Sequence, residues 1–96
     1  MRNLLNNKDL NEFANLLLDN GFKVMIHKPE STWIHYEKDG KIAYVQIDRW
    51  KTSFSSVHKG DREIVSTAAY MAKTLYKAEL NLSEYRMRFT RACESC

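Results

Sequence analysis

Three histidines, His27, His35 and His58, and two cysteines, Cys93 and Cys96, are the side chains best suited to metal or proton-transfer chemistry. Three converging imidazoles could hold Zn²⁺ or a similar ion. His27 and His35 fall on one face if a short loop joins the first two strands, and His58 joins them if Val57 points inward. No carboxylate is clearly placed to orient the imidazoles, and histidines on an open strand face are commonly half-exposed polar aromatics. The cysteines form C-E-S-C at the end of the chain, where fraying termini provide little frame for a metal or redox pair. The chain has no GxGxxG, no Walker loop, no HExxH and no GxSxG. We therefore expect no metal, no cofactor and no catalytic residue, that is, a protein that is not an enzyme.

Positioning any such residues falls to a short chain. Its 96 residues are enough for a single domain spanning 1–96. With 44% hydrophobic and 28% charged residues, three Gly and one Pro, the composition is ordinarily globular. No apolar run approaches the roughly 20 residues that cross a bilayer, and MRNLLNNKDL turns polar too soon for a secretory signal. The expectation is a cytoplasmic protein with no membrane partner. A net charge of +3 permits an anionic partner without demanding one, and it argues against acidic DNA mimicry.

Hydrophobic periodicity defines the elements. Leu10, Phe13, Ala14, Leu17 and Leu18 form one helical stripe that starts at Asn7 or Lys8 and stops at Asn20-Gly21. FKVMIHK, residues 22–28, alternates as a first strand. Residues 33–50, WIHYEKDGKIAYVQIDRW, form a hairpin about Asp39-Gly40, a pair that favours a type I′ turn. That turn sets Lys38 opposite Lys41, Tyr36 opposite Ala43 and Ile34 opposite Val45. Ile34, Tyr36, Ala43, Val45 and Ile47 then share a face that should meet the helices. Residues 52–59 make a weaker fourth strand. Asp61 caps a second helix through Ile64, Ala68, Met71, Ala72 and Leu75. Ser83 can cap a short third helix bearing Tyr85, Arg88, Phe89 and Ala92. The expected class is α+β: an antiparallel β-meander of three to four strands, packed on one face by an N-terminal helix and one or two C-terminal helices.

That parity leaves Trp33, His35, Glu37, Ile42, Tyr44 and Gln46 on the outer face. Trp33 and Tyr44, with His35, Met25 and Phe54, would form an aromatic patch suited to a protein partner or a homodimer, unless the C-terminal segment folds back over it. A second candidate is the C-terminal Arg/aromatic helix. Arg86, Arg88 and Arg91 with Tyr85 and Phe89 suit phosphate contact and base stacking, although cations at a helix end also simply complement its dipole. No RNP-like run accompanies them.

Tyr44, Val45 and Gln46, followed by Phe54, Ser55, Val57, His58 and Lys59, carry a resemblance. This segment of roughly 20 residues resembles a group of small bacteriophage accessory proteins with a G-Y-V-Q-like strand followed by F-S-x-V-H-K. After Lys59 the chain departs from that pattern, since KGDREIV stands where a Pro/Asn/Thr/Gly-rich continuation is expected. The resemblance implies an early protein that binds and inhibits a host protein, such as a defence complex, in the host cytoplasm. It brings no catalytic residues with it. The alternative function is a small nucleic-acid-binding regulator.

Overall fold

The computed structural model describes residues 2–50, 53–76, 79–81 and 86–90, with the backbone alone entering the description for 48–50, 53–55, 75–76, 79–81 and 86–90. The elements run α1 (Lys8–Asp19), β1 (Lys23–Met25), β2 (Trp33–Lys38), β3 (Lys41–Trp50), β4 (Ser53–Gly60), α2 (Arg62–Tyr76), β5 (Glu79–Asn81) and β6 (Arg86–Thr90). The strands form one antiparallel sheet in the order β1-β2-β3-β4-β6-β5. The architecture is α+β, with both helices packed against the same face of the sheet.

Local chemistry accounts for the element ends. The Asn7 side chain accepts a hydrogen bond from the Leu10 amide at 2.9 Å, capping α1. Asn20 and then Gly21, at φ +85°, end that helix. Asp61 Oδ1 accepts from the Glu63 and Ile64 amides and caps α2 in the same way. Asp39 and Gly40 both have positive φ, 53° and 78°, as a type I′ turn requires. The resulting register pairs Lys38 with Lys41, Tyr36 with Ala43 and Ile34 with Val45. At the turn end, Lys38 bonds the Asn20 carbonyl and sits over the Phe22 ring, while Lys41 pairs with Glu63.

The core lies between the helices and the sheet face so selected. Leu10, Phe13, Ala14 and Leu17 of α1 meet Ile34, Tyr36, Ala43, Val45 and Ile47 of the sheet and Ile64, Val65, Ala68, Ala69 and Ala72 of α2. The domain is a slab of 42 × 31 × 19 Å, as two layers require.

The structure corrects two expectations about elements. The first strand is shorter than residues 22–28, with β1 confined to Lys23–Met25. The third helix expected through Arg88 and Phe89 is not formed: residues Arg86–Thr90 are strand β6, paired along Ser53–Val57 of β4 and with β5. Without that strand, β4 would present a row of unpaired N–H and C=O groups. Arg-Met-Arg-Phe-Thr also alternates with period two, so the edge and the local pattern agree. Tyr85, Arg91, Cys93 and Cys96 lie outside the described residues.

An open aromatic sheet face as the candidate site

The face turned away from the helices carries the candidate site. Pairings Met25–His35, His35–Tyr44 and Tyr44–Lys59 form one cross-strand row, and Trp33–Gln46–Val57 forms the next. Met25, Trp33, Ile42 and Tyr44 are 50%, 37%, 44% and 44% exposed. So much apolar side chain on one face exceeds the scattered exposure of an ordinary surface. The C-terminal strands extend the sheet sideways instead of covering these residues.

The rings form a continuous row. His27 lies 4.5 Å from Trp33 between centroids, Trp33 6.0 Å from Tyr44, and Tyr44 stacks on His35 at 4.9 Å with 29° between planes. His27 thus reaches the face from just beyond β1. His35 is half-buried, and its Nε2 atom lies out of solvent with no hydrogen-bond partner among the described residues. Its imidazole lies as a plate under Tyr44. Phe54, expected in this patch, has the opposite phase: it pairs with Arg49 and shares the register phase of the core-facing Ser56 and His58.

His58 does not join the other histidines. It pairs with Val45, so parity turns it to the core, where it is fully buried. Its Nδ1 is 3.1 Å from the Tyr36 hydroxyl and its Nε2 is 3.1 Å from Ser56 Oγ, and the edge of Phe13 packs against the ring. A neutral imidazole donates from one nitrogen and accepts at the other, so the two hydroxyls satisfy it completely. Burial pushes His58 down to about 4 and pushes the Tyr36 phenol up. Hydroxyl beside imidazole is also the pairing used in nucleophilic catalysis. Here Ser56 is 2% exposed and His58 0%, so the chain of hydrogen bonds ties β2 to β4 inside the core, where no substrate can reach it. Among the described residues no three His, Cys, Asp or Glu side chains gather closely enough to hold a metal ion, and no helix is long and apolar enough to cross a membrane.

Few of the side chains described on the open face are charged. Lys23 and Glu37 approach to 3.9 Å and largely offset one another. Lys59, opposite Tyr44, is exposed and forms no ion pair among the described residues. Further along, β6 sets Arg86 opposite Val57 and Arg88 opposite Ser55, register positions in phase with Trp33. The strand therefore puts these two arginine positions in the same phase as the aromatic row, which the helical reading did not.

One arrangement escaped the sequence reading. The Asn15 side-chain amide both accepts from the Arg2 N–H (3.1 Å) and donates to the Arg2 carbonyl (3.0 Å), as a neighbouring strand would. Asn11 Oδ1 accepts from the amides of Leu4 and Leu5 at 2.8 and 3.1 Å. These asparagines sit one turn apart on α1 and strap residues 2–5 along it, which buries Leu5. Polar residues at i and i+4 were the available signal, and they read equally well as a solvated helix face.

Compared with known protein families, curated proteins and solved structures, the chain matches none.

Proposed function

We propose that this chain is a small non-enzymatic binding protein of the phage accessory type, which attaches to a host protein through its open aromatic sheet face and inhibits it, as anti-defence proteins do. The observation that carries the reading is the exposure of Met25, Trp33, Ile42 and Tyr44 on the one sheet face that the helices leave bare. Trp and Tyr at the centre of a flat apolar patch are typical anchors of protein interfaces, because they bury much area at low conformational cost. The phage and inhibitory parts of the reading rest on the resemblance of the Tyr44–Lys59 segment. Blocking a partner by occupation requires shape and burial, not a reactive group.

The test is capture of partners from a host lysate, with and without nuclease treatment, using the wild type and Trp33→Ala. A partner retained after nuclease treatment and lost with Trp33→Ala is the expected result. A catch that disappears with nuclease treatment would favour a second reading, a nucleic-acid-binding regulator. That reading draws support from the phase shared by Arg86, Arg88 and Trp33.

A further inference from the structure

The same face limits the chemistry of what can cover it. Among the described residues Trp33 has the ring neighbours His27 and Tyr44, and Tyr44 has Trp33 and His35. A nucleic-acid base stacks on an open ring face, and rings that lean on one another offer mostly edges. Among the described residues, the most exposed large apolar side chains after Tyr70 are Met25, Ile42 and Tyr44. Aliphatic bulk beside ring edges suits an apolar protein surface better than a stack of bases.

Charge adds a second restriction. Lys23 is paired with Glu37, whereas Lys59, next to Tyr44, has no ion pair among the described residues. Lys59 is thus an unpaired cation beside an apolar centre, and the register positions of Arg86 and Arg88, both basic, and of Asp48, acidic, lie farther along the same face. Slab faces of 42 × 31 Å are broad enough for the roughly 800 Å² per partner that a specific interface buries.

From these features, and resting on the protein-binding reading above, we infer that the partner presents an acidic amphipathic segment: apolar side chains that cover Trp33, Tyr44, Met25 and Ile42, bordered by a carboxylate that meets Lys59. The apolar centre supplies most of the affinity, and the ion pair sets orientation and speeds association.

The experiment titrates three probes into the isotope-labelled full chain at low ionic strength. They are an amphipathic helical peptide of Leu, Trp and Glu, the same peptide with Lys at every Glu position, and single-stranded oligo-dT. NMR shifts of the Trp33 indole and the Tyr44 ring report on the face, with Trp50→Phe used to assign the indole. The acidic peptide is expected to shift both residues saturably and to bind about tenfold more tightly than the basic one. Lys59→Glu, an exposed change that leaves the melting temperature in place, should reverse that preference. Equal binding of the two peptides at this face, or no effect of Lys59→Glu, overturns the acidic-partner inference and leaves the protein-binding reading standing. Preferential binding of oligo-dT to the same residues overturns it in favour of single-stranded nucleic acid. If no probe shifts Trp33 or Tyr44, the face is not a binding surface, and the protein-binding reading falls together with the inference.

Discussion

At the scale of single residues, His58 and Gly60 are both closely confined. His58 is held between two hydroxyls with no counter-charge in contact, so its folded form resists protonation down to about pH 4. The unfolded chain protonates the same imidazole near its ordinary value of about 6.5. Between those values the unfolded state binds more protons, and stability must fall as the pH falls. The loss grows by about 1.4 kcal/mol per pH unit across this window, to roughly 3 kcal/mol near pH 4. Urea midpoints measured from pH 7 to pH 4 should trace this decline, and His58→Gln should flatten it while lowering stability at pH 7. Gly60 is confined by backbone. A Cβ there would lie 2.5 Å from the Ile42 carbonyl oxygen and 2.6 Å from Ala43 Cα, at φ +128°. Neither neighbour can move without breaking the β3–β4 ladder. Gly60→Ala should therefore cost on the order of 3 kcal/mol in denaturant unfolding, whereas Gly40→Ala, where nothing lies within 4 Å, meets the φ penalty alone.

At the scale of elements, the Asp39-Gly40 turn decides which face of β2 and β3 is buried, because a slip of one residue would exchange every inward side chain for its neighbour. Val45→Asp, on the buried face, would put an unpaired carboxylate beside His58 and Ile34 and should leave no cooperative unfolding transition. Gln46→Asp, one residue away on the exposed face, should melt near the wild type, and the two circular-dichroism melts compared check the register. The strap on α1 makes a separate prediction. Asn11→Ala removes the acceptor used by the amides of Leu4 and Leu5 and should cost about 1–3 kcal/mol. Faster amide exchange confined to residues 4 and 5 would locate the effect. The elements were largely legible, since the α1 stripe, the hairpin register and the Asp61 cap all follow from local signals. The fate of residues 86–90 was not. Tyr85, Arg88, Phe89 and Ala92 have helical spacing, Met87 and Phe89 have strand spacing, and the vacant edge of β4 resolves the conflict.

At the scale of the whole molecule, the two helices described cover one side of a six-stranded sheet, and on the other side Met25, Trp33, Ile42 and Tyr44 are exposed. Such a slab has one inexpensive way to hide its aromatic row, which is to press it against another surface. If the row is an interface and not core, Trp33→Ala should weaken partner binding at least about a hundredfold, the size of a hot-spot loss. The melting temperature should change little, because Trp33 makes its ring contacts with His27 and Tyr44 outside the core. Calorimetric titration beside a thermal melt separates the two effects, and a large drop in melting temperature would assign Trp33 to the fold. Light scattering at micromolar concentration tests the remaining occupant of this face, a second copy of the chain.

The sequence by itself determined what short range can determine. Alternation and the Asp-Gly turn selected the buried set Ile34, Tyr36, Ala43, Val45 and Ile47, and with it the exposure of Trp33 and Tyr44. Tertiary structure decided what depended on pairing between distant segments. His58 turned inward because its partner in β3 is Val45, a register set across the β3–β4 connection where no turn signature specifies parity. Arg86 and Arg88 entered the sheet because β4 needed a neighbour along its second edge. Asn11 and Asn15 left the surface because residues 2–5, with no periodicity of their own, found two amides spaced like the backbone of a strand. Hydrogen-bonding groups that the local chain leaves unsatisfied are completed by whichever segment the fold brings near, and one-dimensional pattern carries little information about that choice.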